Sequence, residues 1–338
     1  MKNKTMTIGL IVCAVILIAA VGLSVSGIFG LNRYTYENAD SYTAGGTDAI
    51  PAAGVRNISV DWLDGKVTLA RHGAQTIALS EVSKKEISDD LQLRWWVDGD
   101  TLRVRYAKSG AKTHSLFGGS LNKELTLTLP EGFAAADVYL HTTSGDLIVP
   151  ALDADVLTLD VTSGTVRATA AAGRITARAT SGDISLTSTG AAKEIGVHVT
   201  SGNIAVEAVT ADTLKAEMTS GSISVTAERI GDFSADATSG DVSLRAAAAE
   251  RIKVHTTSGR ITVSAAEFSV LDASATSGNM QFNLPAEPGF TARVEKTSGN
   301  FTYGVPLTMQ GSDYVCGDGS ASVKIHVTSG DIRIDPYQ

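Results

Sequence analysis

The chain has 338 residues, with 28 basic against 36 acidic side chains, a formal net charge of −8 and two cysteines. The acid excess argues against a nucleic-acid partner held by phosphate neutralisation, and two cysteines are too few for a disulfide-stapled scaffold. The length suits two ordinary domains or one elongated repeat array.

Residues 1–4 carry Lys2 and Lys4, and residues 5–31 carry no charged side chain. An apolar run of about 20 residues crosses a bilayer as a helix, so 5–31 is expected to be a transmembrane helix. Lysines ahead of it predict a cytoplasmic N-terminus and an extracytoplasmic remainder. The competing reading is a cleavable signal peptide with Ser24-Val25-Ser26 as its small-x-small site, which leaves the remainder secreted. Setting aside Lys2 and Lys4 leaves 26 basic against 36 acidic residues, a net of −10 that also disfavours an anionic membrane surface. Only Cys316 then lies outside the membrane, so burial and backbone hydrogen bonds must hold the fold.

Residues 32–54 are polar and without period, and are expected to be a spacer. Residues 55–135 hold strand-like runs at Ile58–Trp62, Lys66–Leu69, Thr76–Leu79, Leu91–Val97, Thr101–Tyr106 and Glu124–Leu129. Asp64-Gly65 and Asp98-Gly99 lie between neighbouring runs, where tight hairpin turns want glycine. This N-terminal β region is expected to lead into, or cap, a repeat array on its C-terminal side.

Residues 136–336 repeat Thr-Ser-Gly ten times, with glycines at Gly145, Gly164, Gly182, Gly202, Gly221, Gly240, Gly259, Gly278, Gly299 and Gly330. The intervals are 19, 18, 20, 19, 19, 19, 19, 21 and 31 residues. A short fixed period marks units that bury their apolar faces only against neighbours. Counting each glycine as zero, positions −7, −5, −3, +2 and +4 are apolar or small in nearly every copy, and −4 is polar or charged. This period-two alternation predicts strand, turn, strand, then a looser turn, with the Thr of the motif outward and the Ser inward. The fold class is therefore all-β: a single-stack β-solenoid (β-helix) of about ten coils, each about 19 residues long, rising about 4.8 Å per coil. The last interval inserts Tyr303–Ser320, expected to form a loop that caps the terminal rung.

The residue after each glycine is Asp146, Thr165, Asp183, Asn203, Ser222, Asp241, Arg260, Asn279, Asn300 or Asp331. In the expected stacking no two adjacent rungs both carry Asp, so converging calcium ligands are not built there. The turn glycines are read as structural. His141, His198, His255 and His326 all occupy position −4, three rungs or about 14 Å apart, too far to share a metal. The plain reading is a solvated charge ladder. The sharper one is that protonation near pH 6 tunes self-association.

A third feature pairs Trp96 and Arg94 on one strand face with Arg103 and Arg105 on the next, a candidate patch for a sugar, an anionic polymer or a protein; the plain reading is that a flanking loop covers it. Glu217 and Asp236 are expected as rung neighbours about 5 Å apart, within the spacing of a retaining carboxylate pair. Phosphate loops, metal-spaced His/Cys sets and nucleophile elbows do not occur in the sequence. No catalytic, cofactor or metal residue is assigned, and the chain is read as no enzyme.

The N-terminal apolar segment, the run Leu125-Thr126-Leu127-Thr128-Leu129-Pro130-Glu131-Gly132-Phe133, and the recurring Ser-Gly-Asp-Ile at Ser181–Ile184 and Ser329–Ile332 together resemble the bacterial "putative adhesin" family of β-strand-repeat proteins. The likeness spans roughly residues 55–335. It implies a cell-envelope protein, sometimes encoded beside membrane stress-sensing systems, and transfers no functional residue. The expected function is a non-enzymatic envelope surface module, structural or adhesive, presenting repetitive faces to an envelope protein or wall polymer. The alternative is an accessory of envelope-stress signalling that contacts another membrane protein.

Overall fold

The structure, a computed structural model, describes residues 33–113 and 121–337. The expected transmembrane helix lies outside the described residues, among which no helix is long and apolar enough to cross a membrane. Regular structure is almost entirely β, with three short 3₁₀ turns among the described residues.

The repeats wind into a β-solenoid whose equivalent residues stack in parallel register, for example Leu140 on Leu159, Leu159 on Ala177 and Ala177 on Val197. Alternation decides which side chains turn inward: Val138, Leu140, Leu147 and Val149 are wholly buried. Unequal intervals are absorbed away from the glycine corner. The register slips between Val149 and Leu152 for the 18-residue unit, and between Ala170 and Arg174 for the 20-residue unit. The glycine column itself stays aligned.

Close stacking explains the glycine. Gly145 has φ +146°, and a Cβ placed on it would lie 1.7 Å from the carbonyl oxygen of Gly65. Its amide donates to the carbonyl of Ser163 at 2.8 Å, as that of Gly164 does to Ser181 at 3.0 Å. The motif serine thus contributes backbone, and its side chain is exposed in every copy rather than inward as expected. The corner breaks the pleat, so positions −2 and −1 both face out. Beyond it, Asp146, Asp183 and Asp241 each accept the next winding's amide, from Thr165 (2.8 Å), Asn203 (2.8 Å) and Arg260 (2.7 Å).

Asp64-Gly65 is no hairpin. Strand Asn57–Asp64 lies parallel to Ala134–Ser144, Val60 opposite Leu140, and Gly65 occupies the corner beneath Gly145. Below it Thr101–Arg105 and Glu124–Pro130 form another parallel layer. Antiparallel strands Arg94–Asp98 and Thr76–Val82 close this base, and the Gly99 hairpin between Arg94–Asp98 and Thr101–Arg105 forms as expected. The expected spacer is part of the base too: Thr43–Ala44 pairs with Trp95 and Arg94, and Thr47–Pro51 pairs with the Thr76–Val82 strand. Ile50, 2% exposed, supplies apolar area to the base.

At both ends spatial order departs from chain order. The Gly65 winding sits between the 101–130 layer and the Gly145 winding. The Gly330 winding sits between those of Gly278 and Gly299, with Val323 between Leu271 and Ala292. The crossings that skip these layers share a pattern: Leu129-Pro130-Glu131-Gly132-Phe133, and Leu284-Pro285-Ala286-Glu287-Pro288-Gly289-Phe290. The insertion expected to cap the last rung does so through strand Asp313–Gly317, antiparallel on residues 289–293. The winding it caps belongs to Gly299, not to the last copy.

Candidate interaction face

One column of side chains, at position −4, runs along the outer face. Its lower part joins residues from two of the sequence-derived sets: Arg105 lies opposite Asp61, Asp61 opposite His141, His141 opposite Asp160, Asp160 opposite Arg178, and Arg178 opposite His198. At the far end His255, Ser274, His326 and Glu295 follow one another in register.

Three of the four histidines face a carboxylate on the adjacent winding. His198 Nδ1 lies 3.4 Å from Glu217, His326 Nδ1 3.5 Å from Glu295, and His141 Nδ1 3.8 Å from Asp160. His255 Nδ1 is 2.9 Å from Ser274 Oγ. Burial opposes a proton on His141, but Asp160 and Asp61 outweigh it and raise its pKa. His198, with Lys215, holds Glu217 down at about 2 against partial burial. A carboxyl that acidic is ionised at neutral pH, so Glu217 does not serve as a general acid.

The arginine patch is not assembled as a free cationic surface. Arg94 is buried, donating to the carbonyls of Gln92 (3.2 Å), Leu93 (3.2 Å) and Asp89 (2.7 Å). Strand alternation pointed it outward, but the preceding 3₁₀ turn wraps over that side. Arg103 pairs with Asp98 at 3.0 Å and Arg105 with Asp61 at 3.6 Å. Trp96 packs edge-on against Tyr42, at 5.6 Å between centroids, and edge contacts continue through Tyr36 and Tyr34 to Tyr106 and Trp62. Tyr34, Tyr36 and Tyr42 come from the supposed spacer, which is the flanking segment that packs on Trp96.

Sequence reasoning also missed Lys123. Its side chain is wholly buried at the base, donating to Glu81 (2.8 Å), Leu91 O (2.6 Å) and Tyr106 O (2.5 Å). It lies 4.1 Å from the Tyr106 ring centre and 4.8 Å from that of Trp62. Burial lowers its pKa against the pull of Glu81. A lone lysine before an alternating strand carries no signal for this. The side of the rod away from the glycine corner bears a groove of about 620 Å³, floored by Ala211, Ile230, Ala249 and Phe268. Among the described residues, no three His, Cys, Asp or Glu side chains are grouped to hold a metal ion.

The model of the Toastrack DUF4097 family matches residues 55–269 and 241–335. No curated protein matches the chain. Among solved structures the chain is similar to a "putative adhesin" of Bacteroides fragilis NCTC 9343 (12% identity, TM-score 0.28, covering 87% of this chain and 96% of that one). It is also similar to a "putative adhesin" of Parabacteroides distasonis ATCC 8503 (13%, TM-score 0.29, 86% and 96%). A third likeness is to a "Putative lipid binding protein" of the same species and strain (14%, TM-score 0.36, 89% and 99%). Likeness this distant carries no function across. The family model spans the repeat array and the strands leading into it, and the chain therefore belongs to the Toastrack DUF4097 family, in agreement with its resemblance to the "putative adhesin" proteins.

Proposed function

We propose that this chain is a non-enzymatic surface module of the bacterial cell envelope. It is a rod of about ten coils, held at the membrane by residues 5–31 with its N-terminus in the cytoplasm. It presents repetitive faces to an envelope protein or wall polymer, in a structural or adhesive role. One observation carries this reading. Position −4 places one charged or polar group per winding in a straight line, and the motif threonines form a second line beside it, exposed in nine of ten copies. A periodic partner can meet such lines at many points, each weak, whose sum is strong.

Crosslinking in intact cells tests the proposal. Photo-crosslinkers at the exposed positions Thr180, Thr238 and Asp236 are expected to capture wall polymer or an extracytoplasmic envelope protein. Capture of a signalling membrane protein alone supports the accessory role instead, and fractionation of the chain with cytosol overturns both.

A further inference from the structure

Where each winding makes its looser turn, small side chains leave a groove that crosses four windings. Its floor residues Ala211, Ile230, Ala249 and Phe268 stand 19 residues apart, with Ala249 opposite Phe268 in register. Four windings span three rung spacings, about 14 Å, the length of about four extended residues. Pro285 and Pro288 of the crossing segment and Ala321 wall the far end. The volume of about 620 Å³ falls within the range of about 300–1,000 Å³ typical of clefts that hold a ligand.

Apolar surface continues past both rims. Val209, next to the lining Thr210, and Val270, next to the lining Ser269, are each 41% exposed. Neither belongs to the core, so both extend the apolar surface of the groove.

The charges around the groove are mainly of one sign. Asp212, Glu250 and Glu267 line it against one cation, Arg229. Glu250 is bonded to Arg251 at 2.7 Å, and Arg251 also holds Asp232. Asp212 and Glu267 are exposed and have no ion-pair partner among the described residues. Glu228 and Glu287, adjoining the lining residues Arg229 and Pro288, are exposed and add to the same field. An anionic polymer or anionic lipid is repelled by this rim, and an uncharged acyl chain gains nothing from it. A short extended peptide with aliphatic side chains for the floor and cationic side chains for the rim satisfies both.

We propose that the groove from Asp212 to Glu267 is a docking site for a basic, aliphatic peptide segment of a partner protein. It lies on a different side of the rod from the position −4 line and does not depend on that line.

The full chain in nanodiscs of zwitterionic lipid is titrated into a fluorescein-labelled hexapeptide, Lys-Lys-Leu-Leu-Lys-Lys, and read by anisotropy with empty nanodiscs as the blank. Saturable binding is expected. Hexalysine and Glu-Glu-Leu-Leu-Glu-Glu should each bind at least about tenfold more weakly, because one lacks the aliphatic pair and the other the positive charge. Asp212→Lys with Glu267→Lys should weaken binding by at least about tenfold. Asp153→Lys with Asp155→Lys, the same change of charge at exposed positions of the Gly145 winding, should leave it unchanged. Ala248→Trp, which fills the groove, should abolish it while circular dichroism shows the fold intact. Absence of saturable binding overturns the proposal. Hexalysine binding as tightly as the mixed peptide, or the lower pair of lysines weakening binding as much as the upper pair, also overturns it, because a diffuse acidic field and not the groove then holds the peptide.

Discussion

Gly278 donates its amide to the carbonyl of Ser329 at 3.0 Å, and Gly330 donates to Ser298 at 3.2 Å. The tenth motif therefore lies between the eighth and ninth, its backbone held on both sides. A terminal winding normally frays because it has one neighbour. Here the winding nearest the C-terminus has two, and so has the Gly65 winding near the start of the fold.

The glycine column sets a steric limit. A Cβ at Gly240 would stand 2.1 Å from Gly221 O and 2.7 Å from Met218 Cε, on a backbone with φ +154°. Gly240→Val is expected to cost more than about 1 kcal/mol through strain at this φ, with the steric clash in addition. Gly54→Ala, where no atom lies within 4 Å, serves as control. Thermal melts followed by circular dichroism check this; coincident melts for Gly240→Val and parent would refute the corner geometry.

His141 ties stability to pH. Its pKa is raised in the folded state, so its contribution is fully present below the unfolded value of about 6.5 and is lost as pH rises through the folded value. His141→Gln is expected to flatten the slope of Tm against pH between 6 and 8. Glu217 acts oppositely: its pKa of about 2 gives stability that is present above the unfolded value of about 4.3 and lost as pH falls toward 2. Glu217→Gln should remove part of the acid limb.

Lys296 stands at position −3 of the outermost winding, where other copies turn an apolar residue or threonine inward. It is exposed and donates to its own corner carbonyl, Gly299 O, at 2.9 Å. A charge at an inward position blunts an open edge against addition of another strand. Lys296→Val is expected to raise the weight-average mass in sedimentation equilibrium relative to the parent. Deletion of 305–320, which removes the antiparallel cover of 289–293, is expected to raise it further.

Lys123 is wholly buried and Glu81 nearly so. Lys123→Met leaves that carboxylate without its cation and is expected to cost about 3–5 kcal/mol. Lys123→Met with Glu81→Leu should recover much of that loss, as read by urea midpoints. Equal midpoints for the single and double variants would mean that the pair is not coupled.

The sequence by itself determined the solenoid, its period and its inward columns, because alternation and a recurring glycine are local properties that each copy restates. It also placed the histidines in one line, since equal spacing becomes vertical alignment once rungs stack. Tertiary structure alone decided three things. The serine of the motif faces out, because the corner interrupts the two-residue alternation on which its inward assignment rested. Arg94 is buried against carbonyls of the turn before it, and the segment that half-covers Trp96 is the one carrying Tyr42, which has no pattern of its own. The order of windings at both ends is set by which edges are left open when the chain crosses, and pairing between parallel edges depends on backbone groups that every residue carries alike.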